Sequence, residues 1–239
     1  MKELRDAAFI RFGVSKELLI TTDCCTGVGE LPDDYVYLEI EEVAKITCRV
    51  ALMELLSLKC EPIGYSFNYT GDIDKYVFAE KGFVNCFQEF GYNNIPFISS
   101  SENNFKPLQT SIAVSITGLR KIEYNDNYEK KEFIYAIIGE PLCGEEVIKN
   151  AKAAISTKEF IALMKIKDIE EIIPLGSGGA IEELEKRFVK VIKCDLDLNK
   201  SAGPATCVLI VAKKNAIDYL IHNYKDKLHI IYSESIDKE

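Results

Sequence analysis

The stretch from Glu41 to Leu58, EEVAKITCRVALMELLSL, constrains this chain more than any other. It opens with two acidic residues, which suit the positive end of a helix dipole, and becomes apolar almost all round from Val50 to Leu58. A helix of that kind must be buried, so the chain needs a core large enough to enclose it. Its 239 residues and 47% hydrophobic content supply one and argue against disorder. One acidic side chain, Glu54, lies inside the apolar stretch. Its helical neighbours Val50, Ala51, Ser57 and Leu58 offer no cation. A charged carboxylate is costly to bury without a partner. That partner is non-local: an arginine, a donor network, a metal, or water if this face is exposed.

Around that helix the pattern predicts strands over 7–12 and 17–22 with a turn at Gly13, and an alternating strand over 35–40. A strand over 63–69, a long helix over 73–90 closed by Gly91, and strands over 96–98 and 111–119 follow. The polar run EYNDNYEKKE at 123–132 marks a domain boundary, with an N-terminal domain over 1–124 and a C-terminal one over 125–239. The second half reads as strands over 133–139, 189–194, 206–212 and 228–232 and helices near 144–151, 157–171, 180–188 and 214–223. Strands and helices mix without strict βαβ alternation, so the fold class is α+β.

The net charge of −9 gives no general attraction for a polyphosphate backbone, which speaks against nucleic-acid binding. None of the eight cysteines forms a C-x-x-C pair, and most sit in apolar runs, so they read as reduced residues. No apolar core of signal-peptide length stands at the N-terminus, and no run nears the about 18 residues of a membrane span. A cytoplasmic protein is expected. The only histidines are His222 and His229, both near the end and read as non-catalytic. Carboxylates are then the natural metal ligands, which favours magnesium, manganese or calcium over zinc.

Several residues stand where chemistry is possible. Asp23 ends an apolar strand and opens a loop with Gly27 and Gly29. A carboxylate there can hold a hard cation while the glycines let backbone approach phosphate oxygens, although Asp and Gly also make ordinary turns. Glu102, in SSSENNF, is either part of a polar loop or a third carboxylate for the same cation. In the second half, Leu175-Gly176-Ser177-Gly178-Gly179-Ala180 and Ser201-Ala202-Gly203-Pro204-Ala205-Thr206 are glycine-containing loops that either meet phosphate or only punctuate the chain, with Lys200 beside the latter. The Cys24-Cys25 pair has no nearby histidine to support a nucleophile.

Three passages resemble the AIR synthetase-like superfamily, which includes aminoimidazole-ribonucleotide synthetase, selenophosphate synthetase and thiamine-monophosphate kinase. Ile20-Thr21-Thr22-Asp23 resembles its strand-ending T-T-D. RVALMELLSLKCEPI over 49–63 resembles its metal-binding helix, with Glu54 at the aspartate and Glu61-Pro62 at its E-P. SSSENNF lies where the family has a G-G-[DE]-T type segment. The chain departs from the pattern with Glu54 for aspartate, Met53 for the preceding asparagine, and serines for glycines. RVALMELLS, IPLGSGG and KSAGPAT look most like the α-ribazole kinases of cobalamin lower-ligand salvage. The resemblance implies ATP and Mg2+ as cofactors, with Asp23, Glu54 and Glu102 as catalytic and metal-binding residues. It also implies Gly27, Gly29, Ser201 and Gly203 at the nucleotide or substrate. The implied fold is a mixed sheet backed by helices in an N-terminal domain that pairs as a homodimer, followed by a smaller α/β domain over the cleft. The implied reaction phosphorylates the ribose 5′-hydroxyl of α-ribazole, a nucleoside. The alternatives are thiamine-monophosphate kinase or another AIR synthetase-like enzyme, and a nucleotide-binding protein that has lost catalysis.

Overall fold

The computed structural model describes residues 7–102, 104–122 and 133–235. The chain divides into two compact units, Met1–Asn125 and Asp126–Glu239. The polar run 123–132, where a boundary is expected, lies outside the described residues.

In the first unit, β1 (Ala7–Phe12) and β2 (Lys16–Thr26) form a hairpin that turns through Gly13. Two short strands, β3 (Val28–Gly29) and β4 (Val36–Tyr37), pair in parallel. Helix α1 (Ile40–Ser57) is followed by β5 (Glu61–Thr70), α2 (Tyr76–Glu89), β6 (Phe97–Ser101) and β7 (Ser111–Lys121). The alternating stretch 35–40 contributes only its two β4 residues to a strand. The Leu38 amide donates to the Gly29 carbonyl, and the Glu39 carbonyl already accepts the first helical bond, from Val43. The sheet runs β1-β2-β7-β5-β6, antiparallel except for the parallel β5–β6 edge.

Register decides which side chains face the helices. Leu19, Thr21, Asp23 and Cys25 of β2 stand opposite Gly118, Ile116, Val114 and Ile112 of β7, so all of them share one face. Helix α1 lies on that face. The buried Thr21 hydroxyl donates to the Ala51 carbonyl at 2.8 Å. Further along, a Cβ at Gly118 would lie 2.9 Å from Leu55 Cδ2 and 2.5 Å from Cys60 Sγ. The C-terminal end of α1 therefore sits beside Leu19, and its N-terminal half runs toward Asp23 and Cys25. Leu52, Met53 and Leu55 are fully buried, each worth roughly 1.5–3 kcal/mol of apolar burial.

Helix α2 runs parallel to α1, joined to it by Lys81–Glu41 at 2.8 Å and Lys45–Glu89 at 2.7 Å. Phe83 of α2 stacks on Phe67 of β5 at 4.4 Å between ring centres, and Phe87 on Tyr65 at 4.6 Å. The opposite face of the sheet carries Thr22, Ser115 and Ser66 in one row and Thr26, Ser111 and Thr70 in another. These side chains are exposed or half-buried.

The second unit is built on β8 (Ile134–Ile138), α3 (Glu145–Lys149), α4 (Thr157–Leu163), β9 (Ile169–Pro174), α5 (Gly179–Glu185), β10 (Val189–Lys193), β11 (Val208–Ala212), α6 (Lys214–Asn223) and β12 (Leu228–Ser235). Its sheet, β10-β12-β8-β11-β9, is antiparallel throughout. All of β11 is buried, which accounts for its unbroken apolar run VLIVA. The helix expected over 157–171 ends at Leu163, because Ile169–Pro174 is claimed as a strand by pairing with β11. Among the described residues, no helix is long and apolar enough to cross a membrane.

The tightest point between α1 and α2 is Gly82, where a Cβ would lie 2.2 Å from the Glu41 carbonyl oxygen and 2.9 Å from the Ala44 Cβ. Backbone cannot yield there as a flexible side chain would. Gly82→Ala is expected to lower stability by about 1–3 kcal/mol despite the better helix propensity of alanine, read as a lower urea midpoint at unchanged slope.

Candidate functional site

Asp23 lies near the C-terminal end of β2, on the face covered by α1. It is half-buried, and burial pushes its carboxyl up to about 6, against a smaller opposing pull from the Cys24 amide. No other carboxylate contributes to that shift. Among the described residues, no cation pairs with Asp23, whereas most acidic groups of similar burial here have one, such as Glu17 with Arg120 at 2.9 Å. Cys25, on the same face, is pushed up to about 11, first by burial and then by the Asp23 charge. Cys24 points to the opposite, exposed face.

The loop after Asp23 is fastened to the residues that lead into β7. Gly27 has φ +75°. Its amide donates to the Thr110 carbonyl at 2.9 Å, and its carbonyl accepts from Tyr35 at 2.8 Å. A Cβ on Gly27 would lie 2.8 Å from the Tyr35 ring, and one on Gly29 would lie 2.3 Å from Thr110 Oγ1. Both glycines thus answer to close packing within the chain, and the Gly27 amide is already used rather than free for a phosphate.

Asp34 organises this loop, and nothing local in the sequence points to it. Its Oδ1 accepts from the Thr110 amide at 2.8 Å. Its Oδ2 accepts from the Thr110 hydroxyl and from the Leu31 amide, each at 2.8 Å.

The other two nominated carboxylates stand elsewhere. Glu54 is buried on α1, three residues past Ala51 and so toward the Leu19 end rather than the Asp23 end. Glu102 is exposed just after β6. Its amide donates to the Tyr69 carbonyl, and its Oε1 accepts from the Asn104 amide at 2.6 Å, so it shapes its own turn. Strands β7 and β5 separate β6 from β2. Three interstrand steps of about 4.8 Å put Glu102 about 14 Å from the β2 backbone. Among the described residues, no three of His, Cys, Asp and Glu cluster closely enough to hold one metal ion. The expected convergence of Asp23, Glu54 and Glu102 on one cation is therefore not what a single chain provides. Sequence order puts them in the right motifs, but sheet order keeps Asp23 and Glu102 apart.

In the second unit the two glycine-containing loops are brought together. The Ala202 amide donates to the Gly176 carbonyl at 3.0 Å, and the Ile181 amide donates to the Leu198 carbonyl at 3.0 Å. Gly179, at φ +67°, fits where a Cβ would meet the Leu198 carbonyl at 2.5 Å. Thr206 ties the base of the second loop, its hydroxyl accepting from the Leu142 amide and donating to the Glu140 carbonyl, both at 2.9 Å. Ser201 Oγ lies 3.5 Å from the Gly203 amide, and no atom beyond that hydroxyl crowds Gly203. Lys200 is paired with Glu146 at 2.9 Å. His229 bonds Asp195 through Nδ1 at 2.9 Å and touches none of the nominated residues.

The raised Asp23 carboxyl has a signed consequence. Burial penalises the charged form, so native Asp23 costs nothing below the unfolded value near 3.8. The cost grows as pH rises toward 6 and is complete above it. Asp23→Asn removes that cost. It is expected to be more stable than the parent by about 1–3 kcal/mol at pH 7.5, with the gap closing by pH 4, in metal-free denaturant titrations.

No protein-family model matches the chain, and no curated protein sequence matches it. Solved structures do. T. maritima PurL complexed with ATP superposes with TM-score 0.60 at 10% identity, over 96% of this chain and 42% of that one. This chain thus spans less than half of PurL. E. coli HypE, a hydrogenase maturation protein, gives TM-score 0.62 at 10% identity, over 92% of this chain and 85% of that one. AaThiL complexed with AMPPCP and TMP gives 0.62 at 12%, over 97% and 85%. At these identities the likeness speaks for architecture alone: the chain shares the fold of these solved structures.

Proposed function

We propose that this chain is an ATP-dependent small-molecule kinase that phosphorylates the ribose 5′-hydroxyl of α-ribazole, working with Mg2+ as a cytoplasmic homodimer. The observation that carries the reading is Asp23: a half-buried carboxylate, in the T-T-D of β2, with no cation among the described residues to offset its charge. A hard cation is what such a group lacks, and a lone carboxylate suits magnesium, which keeps several waters and takes further ligands from substrate phosphates. Asp23 would hold the ion, and bound magnesium would offset charge on the phosphoryl oxygens. Glu54 and Glu102 would not share that ion.

Phosphoryl transfer asks a protein chiefly for positioning and charge neutralisation. The T-T-D strand and its clamped loop supply a rigid floor on which Asp23 is held. The resemblance of RVALMELLS, IPLGSGG and KSAGPAT to α-ribazole kinases supports a neutral nucleoside acceptor. An α-ribazole carries no phosphate, whereas thiamine monophosphate does. The hydroxyl-bearing face of the first unit's sheet suits pairing with a second copy, since among the described residues no helix of that unit lies on it.

The test is phosphate transfer in the presence of Mg2+ and ATP. The protein is expected to convert α-ribazole to its 5′-phosphate, detected by mass, and to leave thiamine monophosphate unchanged. Asp23→Asn should lower kcat/KM by on the order of 100-fold while remaining folded. Full activity in Asp23→Asn, or transfer to thiamine monophosphate alone, would overturn the reading.

A further inference from the structure

Asp34 has a place in this site that its sequence context does not announce. The loop from Gly27 to Val36 lies between the strand that carries Asp23 and the first helix, and it is fastened to one buried residue, Thr110. Every polar group of Thr110 is committed to the loop: its amide to Asp34 Oδ1, its hydroxyl to Asp34 Oδ2, and its carbonyl to the Gly27 amide. Thr110 is 0% exposed, so none of these groups has water to fall back on. The neighbouring Gln109 adds a bond from Nε2 to the Asp33 carbonyl at 2.7 Å.

The same contacts hold the loop that follows Asp23 against the residues leading into β7, the strand whose Val114 and Ile112 stand opposite Asp23 and Cys25. The situations of Asp23 and Asp34 differ. Among the described residues Asp23 has only the Cys24 amide, whereas Asp34 accepts three hydrogen bonds from the chain. A carboxylate so occupied is poorly free to bind an ion but well able to hold a backbone in place.

We propose that Asp34 is a positioning residue: by locking the 27–36 loop onto Thr110, it fixes the ground beside Asp23 on which a magnesium-bound triphosphate is received. This rests on the reading of Asp23 given above. Without the lock, the loop keeps the Gly27 and Asp33 bonds to Thr110 and Gln109 but loses both Asp34 bonds to Thr110, while β2 and Asp23 remain paired along the β2–β7 ladder. The fault then lies in reception of the nucleotide more than in the strand that holds the ion.

The experiment is calorimetric titration of magnesium with AMPPCP into the full chain and into Asp23→Asn, Asp34→Ala, Asp34→Asn and Thr110→Val, with a thermal melt of each. The parent is expected to bind and Asp23→Asn to lose binding. Asp34→Ala is expected to bind at least about tenfold more weakly. Asp34→Asn should recover part of the loss, because its amide can still serve both Thr110 groups but cannot accept from Leu31. Thr110→Val, which removes one hydroxyl and keeps the amide and carbonyl, should fall between, and it decides the matter if Asp34→Ala does not fold. Parent-like affinity in Asp34→Ala or Thr110→Val beside a lowered melting temperature would make the clamp purely structural and overturn the inference. Parent-like affinity in Asp23→Asn would instead overturn the reading of Asp23.

Discussion

The seating of α1 across β2 and β7 is the constraint on which the first unit depends. A helix that is apolar nearly all round can exist only when enclosed, and here the sheet encloses it on one side and α2 on another. The Thr21 hydroxyl, buried with the Ala51 carbonyl, fixes how far along the strand the helix lies. Glycines at 118 and 82 let its neighbours approach closely enough to exclude water. Once the helix is seated, alternation along β2 leaves no choice about Asp23: with Leu19 and Thr21 inward, Asp23 must be inward too. The desolvated carboxylate is thus a by-product of register, two residues beyond a strictly structural contact.

Much of this was legible in the residues. The burial of 41–58 follows from its composition, and the hairpin at Gly13 and the buried strand VLIVA follow from their patterns. What was not legible depended on partners distant in sequence. YVYLEI alternates as a strand should, yet most of it serves as the approach to α1, because the Gly29 carbonyl takes the Leu38 amide and the Glu39 carbonyl accepts from the Val43 amide. IEEIIP continues a helical run in sequence, but β11 takes it as a strand.

The site shows the same division. Asp23 stands out from sequence as the acid closing an apolar run, but the strand expected to stop at residue 22 runs on through Asp23 to Thr26, because β7 pairs with it as far as Ser111. Gly27 and Gly29 also stand out, but a glycine does not say whether its space is kept for a ligand or for the chain itself. Here a tyrosine ring and a threonine hydroxyl fill it. Asp34 looks like one of two acids in a turn, and its partner Thr110 lies 76 residues on, which no local pattern reports. Motif order suggests that Asp23, Glu54 and Glu102 meet, but strand order places β7 and β5 between the first and the last.

The bonds joining Gly176 to Ala202 and Ile181 to Leu198 have a mechanical consequence. Two loops fastened amide to carbonyl at both ends cannot travel independently. They hold together as one piece whose base is tied by Thr206. A molecule that settles against one of them meets both already ordered, because the entropy of joining them was surrendered when the protein folded.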